Sequence, residues 1–480
     1  MFVVLSVGFF GCAANGPGAR APAPLTSKAL RASAASELPP RRGKAEAVSL
    51  PPAPHTLRVS TPSANLRPAG PPASASSAPF PVMLGIDVLE AEGFAALRGK
   101  RVGLLTNPAG VNRRGESTID VLRRAPGVNL VALFGPEHGI YGNEKAEVPI
   151  DDNIDPRTGL PVYSLYGKTR KPTPRMLAGL DALIVDLQDI GTRSYTFTSS
   201  MLYVMAACFE AGIECIVLDR PNPLGGLKVD GPPLDAEWKS FVGAFRVPYV
   251  HGLTLGELAR LAHASPGGLT VPAAINTPDE ARLRGKLTVI PMRGWRRDMR
   301  WPETGLQWVP TSPYIQDFAA VVGYPMTGLG TYMGGFSHGF PGPLHPFRGI
   351  SYRGKNIDFL ERELTALRLP GLAYRRITIN DRRGRSVPGL YIQVTDWNAW
   401  RPTELNFHLM QLTARWESTN PFAKASGSTM NGFVKHVGSG AFVEALRTEG
   451  ARTDVSAWFD RWDEGVRIYQ QQVRRFWLYR

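Results

Sequence analysis

From about residue 82 onwards, short apolar runs alternate with segments of helical periodicity. Four runs are apolar at nearly every position, as expected of strands covered on both faces: residues 101–106, 129–134, 182–187 and 214–218. Helical spacing fills three of the intervals: residues 117–124, 174–179 and 200–211. Strands that alternate with helices predict the α/β class, with a parallel sheet and right-handed crossovers.

Polar and ionisable residues follow each predicted strand, in loops rich in glycine and proline. In open parallel sheets, ligands bind outside the carboxyl ends of the strands. Because four such loops share one edge of the sheet, we predict a pocket at that edge. These loops offer the side chains of Asn107, Glu137, His138, Gln188, Asp189, Arg193, Tyr195, Asp219, Arg220 and Asn222.

Two more candidates lie close to this edge. Asp186 falls inside the third apolar run, so it is either a buried functional acid or a residue on the sheet face near the strand end. His251 stands beside a glycine, just before a predicted helix. Thr254 and Glu257 have the spacing of a capping box, and their predicted role is structural. The chain has no glycine-rich nucleotide fingerprint, so the sheet carries no nucleotide signature.

The N-terminal segment differs in composition from the rest of the chain. The chain has 480 residues, 43% of them apolar, which suits two or three domains. The chain contains no run of eighteen apolar residues, so the sequence predicts no membrane-spanning helix. Residues 13–81 are rich in Ala, Pro and Ser, and they predict a disordered tether.

Residues 1–12 resemble a targeting segment. An apolar stretch of about ten residues has signal-peptide length, and Cys12 follows Gly11 as in a bacterial lipoprotein processing site. Lipidation at Cys12 would tether the protein to a membrane. The alternatives are an ordinary secretory signal and a ragged N-terminus. We therefore expect a location in the bacterial cell envelope, as a periplasmic or outer-membrane lipoprotein, or secretion.

The charge is basic but diffuse. The 55 Lys and Arg residues exceed the 41 Asp and Glu residues and give a net charge of +14. No dense basic run with interleaved aromatic residues occurs, so we predict no nucleic-acid partner. The diffuse excess is typical of a soluble basic protein, and the alternative is a surface that favours an anionic partner such as an envelope surface or an acidic polymer. Cys208 and Cys215 have apolar neighbours, and we expect both to be buried small hydrophobes.

Five motifs in this order carry a resemblance to a known family. They are T-N-P-A-G, F-G-P-E-H-G, D-L-Q-D-I-G-T-R-S-Y-T-F, L-D-R-P-N-P-L-G-G and H-G-L-T-x-G-E. Over residues 83–480 the chain resembles the DUF1343 family, which includes exo-β-N-acetylmuramidases of the NamZ type that act on peptidoglycan fragments. The resemblance implies a Rossmann-like subdomain, which we place at residues 82–290, and a smaller α+β subdomain at 291–480. It also implies an active-site cleft between the two.

One stretch departs from the family pattern. Residues 329–339 are L-G-T-Y-M-G-G-F-S-H-G, where relatives usually carry E-G-T-N-x-S-x-G-R-G-T. Leu329 stands in place of the acid, Tyr332 aligns with the Asn, and His338 can supply a different contact. The many glycines predict a mobile lid. The departure keeps a second hypothesis open, a non-catalytic cell-wall-binding lipoprotein on the same fold.

Glycoside hydrolysis needs a proton donor at the leaving oxygen and a carboxylate, water or neighbouring group on the opposite face. Glu137 is the predicted donor, and His138 can hydrogen-bond it or a sugar hydroxyl. Asp186, Asp189 and Asp219 are candidates for the second carboxylate. The N-acetyl group of the substrate can also act as an internal nucleophile, and then one acid and one orienting Asp suffice.

N-acetylmuramic acid adds a lactyl carboxylate, which requires a cation, and Arg193, Arg220 and Arg348 are candidates. Sugar rings favour flat aromatic platforms, for which the candidates are Tyr195, Tyr141, Trp301 and Trp308. The predicted substrate-binding set is Asn107, Gln188, Arg193, Tyr195, Asp219, Arg220, Asn222, His251 and His338. A metal-dependent hydrolase built on His138, His251 and Asp189 is a weaker alternative, and we predict neither a metal nor another cofactor.

Removal of residues 1–81 tests the predicted tether. The truncated chain should keep its melting temperature and its muramidase activity, because the removed segment offers too few large apolar residues to build a core. Thermal unfolding and substrate turnover of the two proteins make the comparison. A large drop in melting temperature would contradict the prediction.

Overall fold

A computed structural model describes residues 82–142, 153–339, 344–380 and 384–480 of the chain. The predicted targeting segment with Cys12 and the predicted tether lie outside these ranges. Within them, no helix combines the length and the apolar character that crossing a membrane requires.

The first part of the chain, up to residue 290, builds a seven-stranded sheet with helices around it. Its strands, including those of a small separate hairpin (β7 and β8), are β1 Arg101–Thr106, β2 Asn129–Gly135, β3 Asn153–Ile154, β4 Pro161–Ser164, β5 Ala182–Asp186, β6 Glu214–Leu218, β7 Thr270–Val271, β8 Ile275–Asn276 and β9 Leu287–Ile290. Its helices are α1 Gly85–Ala91, α2 Thr118–Arg124, α3 Pro174–Leu177, α4 Phe197–Ala211, α5 Leu255–Ala264 and α6 Asp279–Arg284.

The strand order of the large sheet is β3-β4-β2-β1-β5-β6-β9. All neighbouring pairs are parallel except β3 with β4 at the edge. Counted along the chain, the six parallel strands follow the order 3-2-1-4-5-6 of a Rossmann-like sheet, which reverses between β1 and β5. The predicted parallel α/β sheet is therefore confirmed, and its switch point lies between the strands that end at Thr106 and Asp186.

Local sequence explains where the main helices begin and end. Helix α4 is buried along most of its length because it packs against the sheet, and it ends at Gly212, whose φ of +71° only glycine adopts easily. The predicted start at residue 200 was three residues too late. Helix α5 begins with the predicted capping box, since the Thr254 hydroxyl accepts from the Glu257 amide and the Glu257 carboxylate accepts from the Thr254 amide.

The second part is an antiparallel sheet with a group of helices. Its sheet has the order β10-β11-β13-β12, and the strands are β10 Phe336–Ser337, β11 Gly349–Tyr352, β12 Leu372–Asn380 and β13 Ser386–Val394. Its helices are α7 Phe318–Thr327, α8 Ile357–Ala366, α9 Glu404–Trp416, α10 Pro421–Lys424, α11 Gly427–Val437, α12 Gly440–Glu449 and α13 Val455–Val473. An antiparallel sheet combined with separate helices confirms the predicted α+β character of this part.

The end of the chain returns to the first sheet. The Tyr479 hydroxyl donates to Asp219 Oδ2 at 2.6 Å, and the Leu478 amide donates to Glu257 Oε1 at 2.9 Å. Glu257 also pairs with the buried guanidinium of Arg297 at 2.6 Å. These contacts fasten the last residues beside the carboxyl end of β6, where they complete the hydrogen bonding of two buried carboxylates.

Candidate active site

A cavity of about 940 Å³ opens at the carboxyl end of the large sheet. Its lining comes from both parts of the chain. The first part contributes the turn after β2 with Glu137 and His138, the loop after β4 with Tyr166 and Arg170, the start of α4 with Ser194 to Phe197, the segment from Glu237 to Val242, and the hairpin residues Val271 to Ala274. The second part contributes Ser312, Tyr314, Ile315, Tyr324, Phe347, Asn431, Lys435 and His436.

A tight turn places Glu137 and His138 at the cavity. The Gly139 amide closes the turn on the Pro136 carbonyl at 2.9 Å. His138 has a φ of +72°, a left-handed conformation that costs a residue with a side chain roughly 1–2 kcal/mol. Glu137 is half-buried, and its Oε2 accepts from the Thr196 hydroxyl at 2.9 Å. The carboxyl group is thus held in place from the start of α4.

Ser194, Tyr195 and Tyr324 line the cavity wall together with Glu137. The Ser194 hydroxyl lies 2.7 Å from the Tyr249 hydroxyl and 3.3 Å from that of Tyr324, while the Tyr195 hydroxyl donates to Thr311 Oγ1 at 2.7 Å. Burial raises the pKa of Tyr324 to about 12, and the negative charges of nearby carboxylates act in the same direction. Tyr324 therefore keeps its proton and can act as a hydrogen-bond donor at neutral pH.

Asp189 lies buried behind this wall. Its Oδ2 accepts from the Gly191 amide at 2.7 Å and lies 3.4 Å from His251 Nε2. The Leu253 amide donates to His251 Nδ1, so Nε2 carries the hydrogen and faces the carboxylate. Within the described residues, Asp189 Oδ1 has no hydrogen-bond partner. Among the three candidates for the second carboxylate, Asp189 is the one whose charge raises the pKa of tyrosines at the cavity.

The other two candidates for the second carboxylate, Asp186 and Asp219, make structural contacts. Asp186 is fully buried and pairs with Arg220 through two bonds of 2.6 and 2.9 Å. Asp219 is also fully buried and accepts from Tyr479 and from the Thr254 hydroxyl and Gly256 amide. Burial raises the pKa of Asp219 to about 6. Neither carboxylate lines the cavity, because both strand-end loops turn them towards neighbouring backbone and side chains.

The predicted amide ligands bond to loop backbone instead of facing the cavity. Gln188 donates to the carbonyls of Asp189 and Pro221, both at 2.8 Å. Asn222 donates to the Leu253 carbonyl at 3.0 Å, and Asn107 Oδ1 accepts from the amide two residues on. Gln188 and Asn222 thereby join neighbouring loops, whereas Asn107 stabilises its own loop. Gln188 and Arg220 do line a second, smaller cavity of about 100 Å³.

The predicted cation for a lactyl carboxylate is not found among the three arginines named from the sequence. Arg193 is 1% exposed and donates to the carbonyls of Pro232, Val247 and Val437 at 2.7–2.8 Å. Burial lowers its pKa to about 10. Arg348 donates to the Ile392 carbonyl at 2.6 Å, and Arg220 holds Asp186. None of the three guanidinium groups lines the large cavity.

Of the four predicted aromatic platforms, only Tyr195 lines the cavity. Tyr141 is 42% exposed and bonds to Asp155. Trp301 and Trp308 pack against each other with ring centres 4.8 Å apart.

The segment that departs from the family pattern contributes to the cavity indirectly. His338 stacks on Phe347, a lining residue, with ring centres 4.2 Å apart. Leu329 is 2% exposed, and the next residue, Gly330, donates its amide to Asn406 on α9 at 2.7 Å. The side chain at position 329 therefore belongs to the core, and the lid remains a prediction.

The three residues of the metal hypothesis are not assembled. His138 lines the cavity, whereas His251 is buried beside Asp189. In the part of the chain that the structure describes, no three His, Cys, Asp or Glu side chains are grouped so that they could hold a metal ion. Cys208 and Cys215 are both fully buried, as predicted.

Several lining residues were not predicted from the sequence. Thr196 follows Tyr195 in the motif D-L-Q-D-I-G-T-R-S-Y-T-F, so its place in the sequence could have identified it as a site residue. Lys239, Tyr324, Lys435 and His436 come from segments far from any strand-end loop. Nothing in their local sequence indicates that they meet Glu137.

A half-buried carboxyl group, hydroxyl donors and several aromatic rings around one open cavity define a candidate glycoside hydrolase site. The chain belongs to the NamZ family. The model described as "Exo-beta-N-acetylmuramidase NamZ, N-terminal" matches residues 102–319, and its C-terminal counterpart matches residues 322–479. The predicted subdomain boundary at residue 290 follows β9, about thirty residues before the point where these matches meet.

Relatives support this assignment along the length of the described chain. The peptidoglycan β-N-acetylmuramidase NamZ of Bacillus subtilis (strain 168) is 38% identical over 379 residues, which cover 76% of this chain and 86% of that protein. A crystal structure of a DUF1343 family protein of Bacteroides fragilis superposes with a TM-score of 0.72 at 38% identity, covering 83% of this chain and 99% of that one. A second protein from the same organism gives 0.60 at 26% identity, with the same shares covered.

Asp186→Asn separates a scaffold role from a catalytic one. The substitution leaves Arg220 buried without a counter-charge, so the free energy of unfolding should fall by about 3–5 kcal/mol. The turnover number of the folded protein should stay within about threefold of wild type, because Asp186 lies outside the cavity. Urea unfolding and kinetics on the folded fraction measure the two effects. Unchanged stability with a large loss of turnover would make Asp186 catalytic after all.

Proposed function

We propose that the protein is a glycosidase that releases N-acetylmuramic acid from the non-reducing end of peptidoglycan fragments, with Glu137 as the general acid. The observation that carries the proposal is the state of the Glu137 carboxyl group. Thr196 donates to Oε2, Oε1 has no hydrogen-bond partner among the described residues, and Glu137 lines the cavity. A proton donor needs this arrangement, since one oxygen must be fixed and the other must reach the leaving group.

The surrounding residues suit the remaining steps of glycoside hydrolysis. The transition state carries positive charge on the sugar ring. Asp189 is a buried carboxylate whose charge raises the pKa of Tyr195 and Tyr324 at the cavity, and the Gly191 amide orients it. A preorganised charge of this kind stabilises the developing cation without reorganisation of solvent. His138 lines the cavity beside Glu137, in the same turn.

Aromatic rings supply the surface against which a sugar can lie. Tyr166, Trp238, Phe241 and Phe347 all line the cavity. The apolar faces of sugar rings pack on such side chains, while their hydroxyls remain accessible to polar groups. With Tyr195, these four rings line the cavity, whereas the predicted platforms Tyr141, Trp301 and Trp308 do not.

Glu137→Gln tests the role of the acid. The amide keeps the shape and can still accept from Thr196, but it cannot donate an acidic proton. Turnover of a natural muramyl disaccharide should fall by roughly 10²–10⁴-fold, with the melting temperature unchanged. The loss should be smaller for a nitrophenyl muramide, because an acidic leaving group needs less protonation. Steady-state kinetics with both substrates measure the difference.

Glu237→Gln is the matched control, because Glu237 is an exposed carboxylate that borders the same cavity. If turnover depends on the proton of Glu137, the control should lose less than about tenfold, and its loss should not depend on the leaving group. Equal losses in the two variants, or a fall in melting temperature for Glu137→Gln, would point to a structural role. In that case another residue would have to be the acid.

We also propose that the protein works in the bacterial cell envelope, tethered through Cys12. Peptidoglycan fragments occur there, and the apolar run before Cys12 has the length of a signal peptide. Cys12→Ser should move the protein from the membrane fraction to the soluble fraction or leave its precursor unprocessed. Fractionation followed by immunoblotting makes the comparison. Equal membrane association of the two forms would reject lipidation at Cys12.

A further inference from the structure

Three cationic side chains that form no ion pair with a described residue line the cavity. Arg170 follows β4, Lys239 follows a short 3-10 turn at residues 236–238, and Lys435 lies near the end of α11. None of them takes part in an ion pair or a hydrogen bond with any residue that the structure describes. The buried arginines Arg193, Arg220, Arg297 and Arg348 all do. The three lining cations come from distant segments, and the fold brings them to one cavity.

The surroundings of the three side chains favour a bound anion. Arg170 lies over the Phe241 ring at 4.2 Å and over Tyr166 at 5.6 Å, so aromatic faces position its guanidinium. Lys239 and Lys435 are both partly buried. Burial, with the charge of Arg246 nearby, lowers the pKa of Lys239 to about 8, so it is mostly protonated at neutral pH. Two carboxylates, Glu137 and Glu237, line the same cavity, so its Lys and Arg side chains outnumber its acidic ones.

His436, next to Lys435, does not add a fourth charge. Burial, Arg193 and Lys435 all lower its pKa, and its Nδ1 lies 2.8 Å from the Gly432 carbonyl. Arg170, Lys239 and Lys435 are the Lys and Arg side chains among the described lining residues.

We propose that Arg170, Lys239 and Lys435 bind the lactyl carboxylate of the substrate and make the enzyme selective for muramyl residues whose carboxylate is free. This inference rests on the proposed function and adds the residues that set its specificity. When a peptide stem is attached, the same carbon is an amide, which is neutral. Cations that form no ion pair with a described residue gain much less from an amide oxygen than from a carboxylate, because hydrogen bonds between charged groups are roughly twice as strong as neutral ones.

A pair of substrates that differ only at this carbon tests the proposal. The 4-nitrophenyl β-muramide with a free lactyl carboxylate is compared with its N-methylamide. The variants are Lys239→Met and Lys435→Met, which keep the aliphatic stems, and Arg170→Gln. Each should raise KM for the acid by about tenfold or more. KM for the amide should stay within about twofold of wild type. The turnover number should change little, because these residues act at a group remote from the bond that breaks.

Arg246→Gln is the control, since Arg246 lies near Lys239 but is exposed and does not line the cavity. It should leave KM for both substrates within about twofold of wild type. Equal loss on the acid and the amide, or an unchanged KM for the acid in all three variants, would overturn the assignment while leaving the glycosidase activity intact. Failure of the proposed function itself looks different, because wild type would then release nitrophenol from neither substrate.

Discussion

The cavity depends on one buried cation, Arg193. Its guanidinium joins three segments by donating to the carbonyls of Pro232 and Val247 in the first part of the chain and of Val437 at the end of α11. The next residues, Ser194 to Phe197, line the cavity, and so do Lys435 and His436 just before Val437. A buried charge without such partners would cost several kcal/mol. The three carbonyls must therefore stay in place, and they fix the spacing between the two sides of the site.

The sequence around this cation is adapted to it. Gly438, which follows α11, has a φ of +81°, and a Cβ atom there would lie 2.2 Å from Arg193 Nη2. The glycine ends the helix and also leaves room for the guanidinium. From sequence alone, Arg193 is a candidate ligand for the substrate, since an arginine in a polar loop after a strand usually faces solvent or an anion. Its true partners are backbone carbonyls, which no side-chain pattern reveals.

Sequence predicted the centre of the fold better than its edges. Strands covered on both faces, such as β1 and β6, are continuous apolar runs, and their predicted bounds agree with the structure. Strand β4 was missed because it lies near the sheet edge, starts with a proline and is only half-buried. Covered strands need apolar side chains on both faces, whereas an edge strand is stabilised mainly by backbone pairing, which leaves little trace in composition.

The same reasoning explains the site. The rule that ligands bind at strand ends predicted a pocket beside Glu137, His138 and Tyr195, and these three residues line the cavity. It did not separate them from Asp186 and Asp219, which also lie at strand ends. The difference lies in which way each loop turns, and that is set by tertiary contacts. Residues from the second part, such as Tyr324, could not be predicted at all, because their place beside Glu137 depends on how two distant parts of the chain pack.

The backbone of His138 has a consequence for how this protein can change over time. A glycine or asparagine would adopt its left-handed conformation with less strain. Selection for stability alone should therefore favour replacement of the histidine, and a position like this is retained only while its side chain is useful. Along a lineage that no longer needs the chemistry of the cavity, the turn after β2 should be among the first places to relax. Loss of the histidine while Glu137 is still present would then be an early sign that a protein of this fold has lost its activity.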